Sequence, residues 1–172
     1  MCQRGGAGDV FVLRRLKHYC RAFNISIIAY CLMPNHYHLL VRQDGEQAAG
    51  LLPQCVFNSY TKAYNKRYQH SGTLFECRFQ AKAIQSDSHL LHLCVYIHAN
   101  PVKDGLVAAP EDWAYSNYRE WINQRAGTLV DRVFVREHFG TPAEYRALVM
   151  DYLQARRRLP EELEAYLQKL AG

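Results

Sequence analysis

Ile25-Ser26-Ile27-Ile28-Ala29-Tyr30-Cys31-Leu32-Met33-Pro34-Asn35-His36-Tyr37-His38-Leu39-Leu40-Val41-Arg42 is the stretch that decides how this chain folds. Residues 25–32 are apolar and rich in β-branched side chains, over the length of a strand. Pro34 and Asn35 carry turn chemistry. Residues 36–42 then read as a second strand, so the pair is expected to form a hairpin. Side chains alternate across a strand, which sends Tyr37, Leu39 and Val41 to the core. His36 and His38 share the other face, about 7 Å apart along the strand. Two such imidazoles can hold one divalent ion. The same pattern also suits two polar residues on the wet face of a half-buried strand.

Outward from the hairpin, helical and extended segments alternate. Residues 10–23 predict a helix, with Leu13, Leu16, Cys20 and Phe23 on its inner stripe. Residues 46–69 predict a second, interrupted early by Pro53 and stopped by Ser71-Gly72. Residues 73–84 alternate apolar and polar side chains and predict another strand. Ser86, Asp87 and Ser88 offer N-caps for a helix expected to end near Asn100, before Pro101. Residues 110–121 form a short aromatic segment, Thr141-Pro142 starts a further helix, and Pro160 starts a charged one reaching Leu170. The order predicts an α+β fold, an antiparallel sheet with helices on one face.

Composition narrows the function classes. The chain has 172 residues, 49% hydrophobic and 22% charged, which suits one globular domain with a real core. No apolar run is long enough to cross a bilayer, and the polar, Gly-rich start is no secretory signal. A cytoplasmic, nucleoid-associated protein without a membrane partner is expected. The six cysteines form no CxxC pair, which argues against a zinc ribbon and for reduced, buried thiols. A net charge of +5 and twelve tyrosines are compatible with nucleic acid, since aromatic rings stack bases while cations hold phosphates.

The second chemical feature is Tyr96-Ile97-His98-Ala99-Asn100-Pro101. Tyr96 and Asn100 are one turn apart on a helix face, with His92 a turn earlier. A tyrosine hydroxyl beside a metal can attack a phosphodiester, and the amide can complete the ion's ligand set. Taken alone, the pair is also an ordinary amphipathic helix edge.

Together the two features carry a resemblance. Ala29-Tyr30-Cys31-Leu32-Met33-Pro34-Asn35-His36-Tyr37-His38-Leu39-Leu40-Val41 resembles the signature of the small single-tyrosine HUH transposases, above all the REP-associated tyrosine transposases. Tyr96-Ile97-His98-Ala99-Asn100-Pro101-Val102-Lys103-Asp104-Gly105-Leu106-Val107 resembles that family's second signature. Gly72-Thr73-Leu74-Phe75-Glu76-Cys77-Arg78-Phe79 and Trp113-Ala114-Tyr115-Ser116-Asn117-Tyr118 look like family segments too. The resemblance implies a ferredoxin-like palm, with His36, His38 and Asn100 as ligands of Mg²⁺ or Mn²⁺ and Tyr96 as the nucleophile. It implies single-stranded DNA beside a hairpin as substrate, and a homodimer is a further expectation. Residues 1–125 are expected to form the transposase domain and residues 126–172 a C-terminal helical extension.

One departure stands out. Such proteins carry a strand before the first helix, whereas Cys2-Gln3-Arg4-Gly5-Gly6-Ala7-Gly8 has no strand pattern. The first strand is therefore expected to be missing, through truncation or because a partner or another segment fills its place. An unpaired sheet position would follow.

For the DNA surface, Lys62, Lys66 and Arg67 lie beside the ladder Tyr60, Tyr64 and Tyr68, and Arg78 and Lys82 line the polar face of the next segment. The tyrosines can equally pack on the sheet. Arg156-Arg157-Arg158 either contacts DNA or only solvates a linker. Two alternatives to a transposase follow: a non-catalytic module that holds hairpins or single strands, and a replication- or relaxation-type nuclease with the same chemistry.

Overall fold

The computed structural model describes residues 7–154 together with Glu161, Glu164 and Ala165. Most of the helix expected from Pro160, the Arg156-Arg157-Arg158 run and nearly all of the segment where the first strand is expected to be missing lie outside the described residues.

The decisive stretch folds as read. Strand β1 (Ile25–Leu32) pairs antiparallel with β2 (Tyr37–Gln43), from Leu32 opposite Tyr37 to Ile25 opposite Gln43. Met33 N–H donates to the His36 carbonyl at 2.9 Å and closes the turn over Pro34 and Asn35. The register shifts between Ile27 and Ala29, where Ile28 is an extra residue on β1. Ile27 and Tyr30 thus face one side, while Ile28, Ala29 and Cys31 face the other. Nearly all of β1 is buried, because both faces of the hairpin are covered.

One cover is the pair α1 (Ala7–Phe23) and α2 (Leu51–Tyr68). Val12 and Leu16 of α1 and Leu52 and Val56 of α2 bury against Ile25, Ile27, Tyr30 and Leu32, with Tyr37, Leu39 and Val41 beside them. Each fully buried aliphatic side chain here contributes about 1.5–3 kcal/mol. Pro53 does not interrupt α2. It sits in the first turn, where a missing N–H costs no intrahelical bond. The other cover is α3 (Asp87–Lys103), capped by the Ser86 hydroxyl, which accepts from His89 N–H at 3.2 Å. The single layer of helices expected on one face is therefore α1 and α2, and α3 adds a second layer opposite.

The C-terminal part completes that second layer. After a turn of 3-10 helix at Pro110–Asp112, the chain runs beside the free edge of β1, where Cys31 and Ser116 form a bridge. Then come α4 (Tyr118–Trp121), α5 (Arg132–Phe139) and α6 (Pro142–Leu153), the last opened by a capping box between Thr141 and Glu144. Trp121 is the hub, with Tyr145 at 4.5 Å and Phe139 at 5.2 Å between ring centroids. Phe134, Phe139, Tyr145 and Val149 share one core with Cys94, Ile97 and Ala99 of α3.

The extended segment 73–84 is not a strand. Phe75 packs against Phe57 and Tyr37 on the α1–α2 side, while Ile84 joins the α3 side. The segment thus passes from one layer to the other, and its alternating pattern never meets a strand to pair with. Among the described residues the sheet has two strands. No helix there is long and apolar enough to cross a membrane. Cys31 and Cys94 are buried thiols, as expected, but Cys20 and Cys55 are half-buried and Cys77 is exposed.

Candidate catalytic site

The hairpin and α3 bring the two chemical features together. Leu40 of β2 packs into the same core as Cys94 and Ile97, so the strand face that carries His38 looks toward α3. The His36 and His38 rings lie 4.9 Å apart, edge to face. His38 in turn meets the Tyr96 ring at 5.6 Å. Tyr96 is half-buried, so its hydroxyl is not sealed inside the protein. Asn100 is buried one turn on with its amide near the Tyr96 hydroxyl, and no hydrogen bond of ordinary length satisfies its Nδ2.

The electrostatics favour neutral groups. Burial pushes His38 down to about 4, helped by His36 beside it. His36 is lowered too, through lost solvation, although Asp104 pulls the other way. Both imidazoles are therefore unprotonated at neutral pH, the form that binds metal. Burial raises the Tyr96 phenol, while the Lys103 ammonium and the Asn100 contact lower it. His36 is also tethered at its outer end, Nδ1 to the Asn35 side-chain oxygen at 2.8 Å.

These residues suit a divalent ion. Two neutral imidazoles with ring centroids 4.9 Å apart, and the side-chain oxygen of a buried amide on the facing helix, form an incomplete ligand set. The set leaves positions for phosphate oxygens and water. Among the described residues no group of three His, Cys, Asp or Glu gathers to hold a metal, so an ion here would depend on the amide. His92 is engaged elsewhere, its Nδ1 lying 2.6 Å from the Ser88 carbonyl.

Behind the site stands a network that the sequence reading assigned no role. His98, between Tyr96 and Asn100 in the sequence, is fully buried. Its Nε2 lies 2.9 Å from Asn117 Oδ1, and its Nδ1 lies 2.6 Å from the Tyr145 hydroxyl. The Asn117 amide donates to the carbonyls of Ile28 and Leu129, and its oxygen accepts from Tyr30 N–H at 2.8 Å. That assigns Nε2–H as donor and Nδ1 as acceptor, the neutral tautomer, in line with burial pushing His98 down to about 4. The network ties α3 to β1 and to α6, which fixes the turn of helix that presents Tyr96 and Asn100. His98 and Asn117 both stand in segments quoted above, but nothing in their spacing shows that they meet each other or Tyr145.

The candidate DNA cations are not beside this cluster. Lys62, Lys66 and Arg67 are exposed on α2, which covers the opposite face of the hairpin. Arg78 and Lys82 are exposed on the segment that passes between the layers. Of the tyrosine ladder, Tyr60 packs into the α1–α2 core. Tyr64 and Tyr68 pack ring to ring at 4.5 Å, tilted by 43°, and Tyr68 is 50% exposed.

Comparison with known proteins gives a consistent set of likenesses. The family model described as "Transposase IS200 like" matches residues 9–100. A Haemophilus influenzae protein named as a REP-associated tyrosine transposase is 28% identical over 113 residues, 59% of this chain and 64% of that one. An Escherichia coli REP-associated tyrosine transposase is 28% identical over 102 residues, 57% of this chain and 56% of its own. The chain thus spans less than two thirds of either relative. A solved REP-associated tyrosine transposase bound to a REP hairpin has the same fold, with a TM-score of 0.59 at 20% identity, over 74% of this chain and 82% of that one.

Proposed function

Because this chain belongs to the IS200-like transposase family, we propose that it cuts and rejoins single-stranded DNA beside a hairpin, through a covalent phosphotyrosine at Tyr96. The observation that carries this reading is the convergence of His36, His38, Tyr96 and Asn100 from two separate elements. A hairpin substrate is drawn from the fold-mate that holds one.

The chain's residues divide the work as follows. His36, His38 and the Asn100 side-chain oxygen would hold Mg²⁺ or Mn²⁺. Their role would be to set a Lewis acid against the scissile phosphate, which polarises it and offsets charge in the transition state. The α3 helix presents the Tyr96 hydroxyl, with its ring 5.6 Å from that of His38. Its oxygen bonds to phosphorus as the bond from phosphorus to a 3′ oxygen breaks. The departing oxygen keeps the bonding pair and gains a proton, while the phenol loses one to water. A free 3′-hydroxyl reverses the step, so rejoining needs no further energy source. All three ligands are neutral, so they leave the ion's double charge to the phosphate. Lys62, Lys66, Arg67, Arg78 and Lys82 would contact phosphates of the flanking DNA, away from the reacting atoms.

The test is a denaturing gel for a protein–DNA adduct, using a hairpin-bearing oligonucleotide with either ion. Wild type should form the adduct and Tyr96→Phe should not, while both bind the oligonucleotide. Binding by wild type with no adduct in either ion would instead favour a module that holds hairpins without cutting.

A further inference from the structure

Lys103 ends α3 two turns beyond Tyr96, on nearly the same face of the helix. Its ammonium lies 5.2 Å from the centre of the Tyr96 ring and 5.3 Å from that of Tyr152. It donates to the Tyr152 hydroxyl at 3.0 Å. Among the described residues it forms no ion pair. A long side chain at a helix end ordinarily loses rotamer entropy when it is pinned, with little return from solvent-exposed contacts. Here it is held between the ring of Tyr96, the candidate nucleophile, and the ring and hydroxyl of Tyr152.

The anchor comes from the C-terminal extension. Tyr145, Val149 and Tyr152 fall on one stripe of α6. Tyr145 and Val149 are buried, and the His98–Tyr145 bond locks the stripe onto α3. Tyr152 at the end of the stripe is thereby delivered to Lys103. An ammonium has three N–H donors, and Tyr152 takes one.

We propose that Lys103, positioned by Tyr152, is a catalytic residue that binds a non-bridging oxygen of the scissile phosphate beside Tyr96. This rests on the reading of Tyr96 as nucleophile. As the bond from the Tyr96 oxygen to phosphorus forms and the bond to the 3′ oxygen breaks, negative charge grows on the phosphoryl oxygens. A cation already fixed against the attacking ring stabilises that charge without reorganising. In the reverse step the same cation faces the Tyr96 oxygen as it leaves phosphorus. Lys103 neither gains nor loses a proton. On this reading α6 is part of the reaction centre, through Tyr152.

The test uses the full chain, Mn²⁺ and a hairpin-bearing oligonucleotide at saturation, and follows single-turnover adduct formation alongside hairpin affinity and thermal unfolding. Lys103→Met keeps the length and loses the charge. It should slow the adduct step about 100-fold while affinity and melting stay near wild type. Lys103→Arg should recover most of the rate. Tyr152→Phe keeps the ring, frees the ammonium and should cost about 10-fold. A Lys103→Met protein that reacts at the wild-type rate, or that loses only affinity, overturns the proposal and leaves Tyr96 in place. A wild-type protein that forms no adduct overturns both.

Discussion

His38 and Tyr96 meet edge to face, with ring centroids 5.6 Å apart, although one belongs to a hairpin strand and the other to a helix of the opposite layer. Nothing in either element's own periodicity requires that meeting. It follows from Leu40, the neighbour of His38 across one peptide pair, packing into the core that α3 fills with Cys94 and Ile97. The hydrophobic partner sets the angle at which the polar one arrives.

The two histidines should differ in how much they matter. His38 is half-buried and touches both His36 and Tyr96, whereas His36 is exposed at the turn. His38→Ala is expected to lower the adduct rate at least about 100-fold, and His36→Ala by somewhat less, since water can replace an outer ligand. Raising the Mn²⁺ concentration should rescue His36→Ala more fully than His38→Ala. Equal, unrescued losses would contradict this ranking.

Asn100→Ala separates ligation from folding. Truncation removes an amide whose Nδ2 is itself unpaired and leaves only the half-buried Tyr96 hydroxyl to water, so the melting temperature should stay within a few degrees of wild type. Metal affinity should fall about 10- to 100-fold, read by Mn²⁺ titration calorimetry. Asn100→Asp should bind Mn²⁺ more tightly, because it adds a charge to a neutral ligand set.

Acid should destabilise this protein through its buried imidazoles. His38 and His98 are both held near 4 when folded, below the ordinary imidazole value, by burial. Between those limits the unfolded chain binds more protons than the folded one, so stability is complete above about pH 6.5 and falls as pH drops toward about 4. Urea midpoints should decline across that window. His98→Gln, which removes one titrating group, should flatten the decline. A profile unchanged by His98→Gln would show that this imidazole is not the group responsible.

Asn117→Ala should be among the more damaging substitutions outside the site. Its fully buried amide serves Ile28, Tyr30, Leu129 and His98 at once. Removing it leaves several buried groups unpaired, at a cost of about 3 kcal/mol or more in chemical denaturation. The adduct rate of the protein that remains folded should fall as well, because α3 loses its tie to β1.

By itself the sequence determined whatever depends on neighbours along the chain. The hairpin over Pro34 and Asn35 could be read directly, as could the shared face of His36 and His38 and the turn that pairs Tyr96 with Asn100. Strand alternation and the helical repeat are local rules. Tertiary structure decided the rest. Residues 73–84 alternate like a strand but cross between layers, because a strand exists only where another edge receives its hydrogen bonds. Pro53 breaks nothing because it falls in the first turn of its helix, and α3 runs through Pro101 to Lys103, where little helix remains to break. His98, Asn117, Tyr145, Lys103 and Tyr152 come from distant segments. Their contacts follow from how α3, β1 and α6 pack, and packing is set by the summed burial of many apolar side chains, not by the spacing of any one motif.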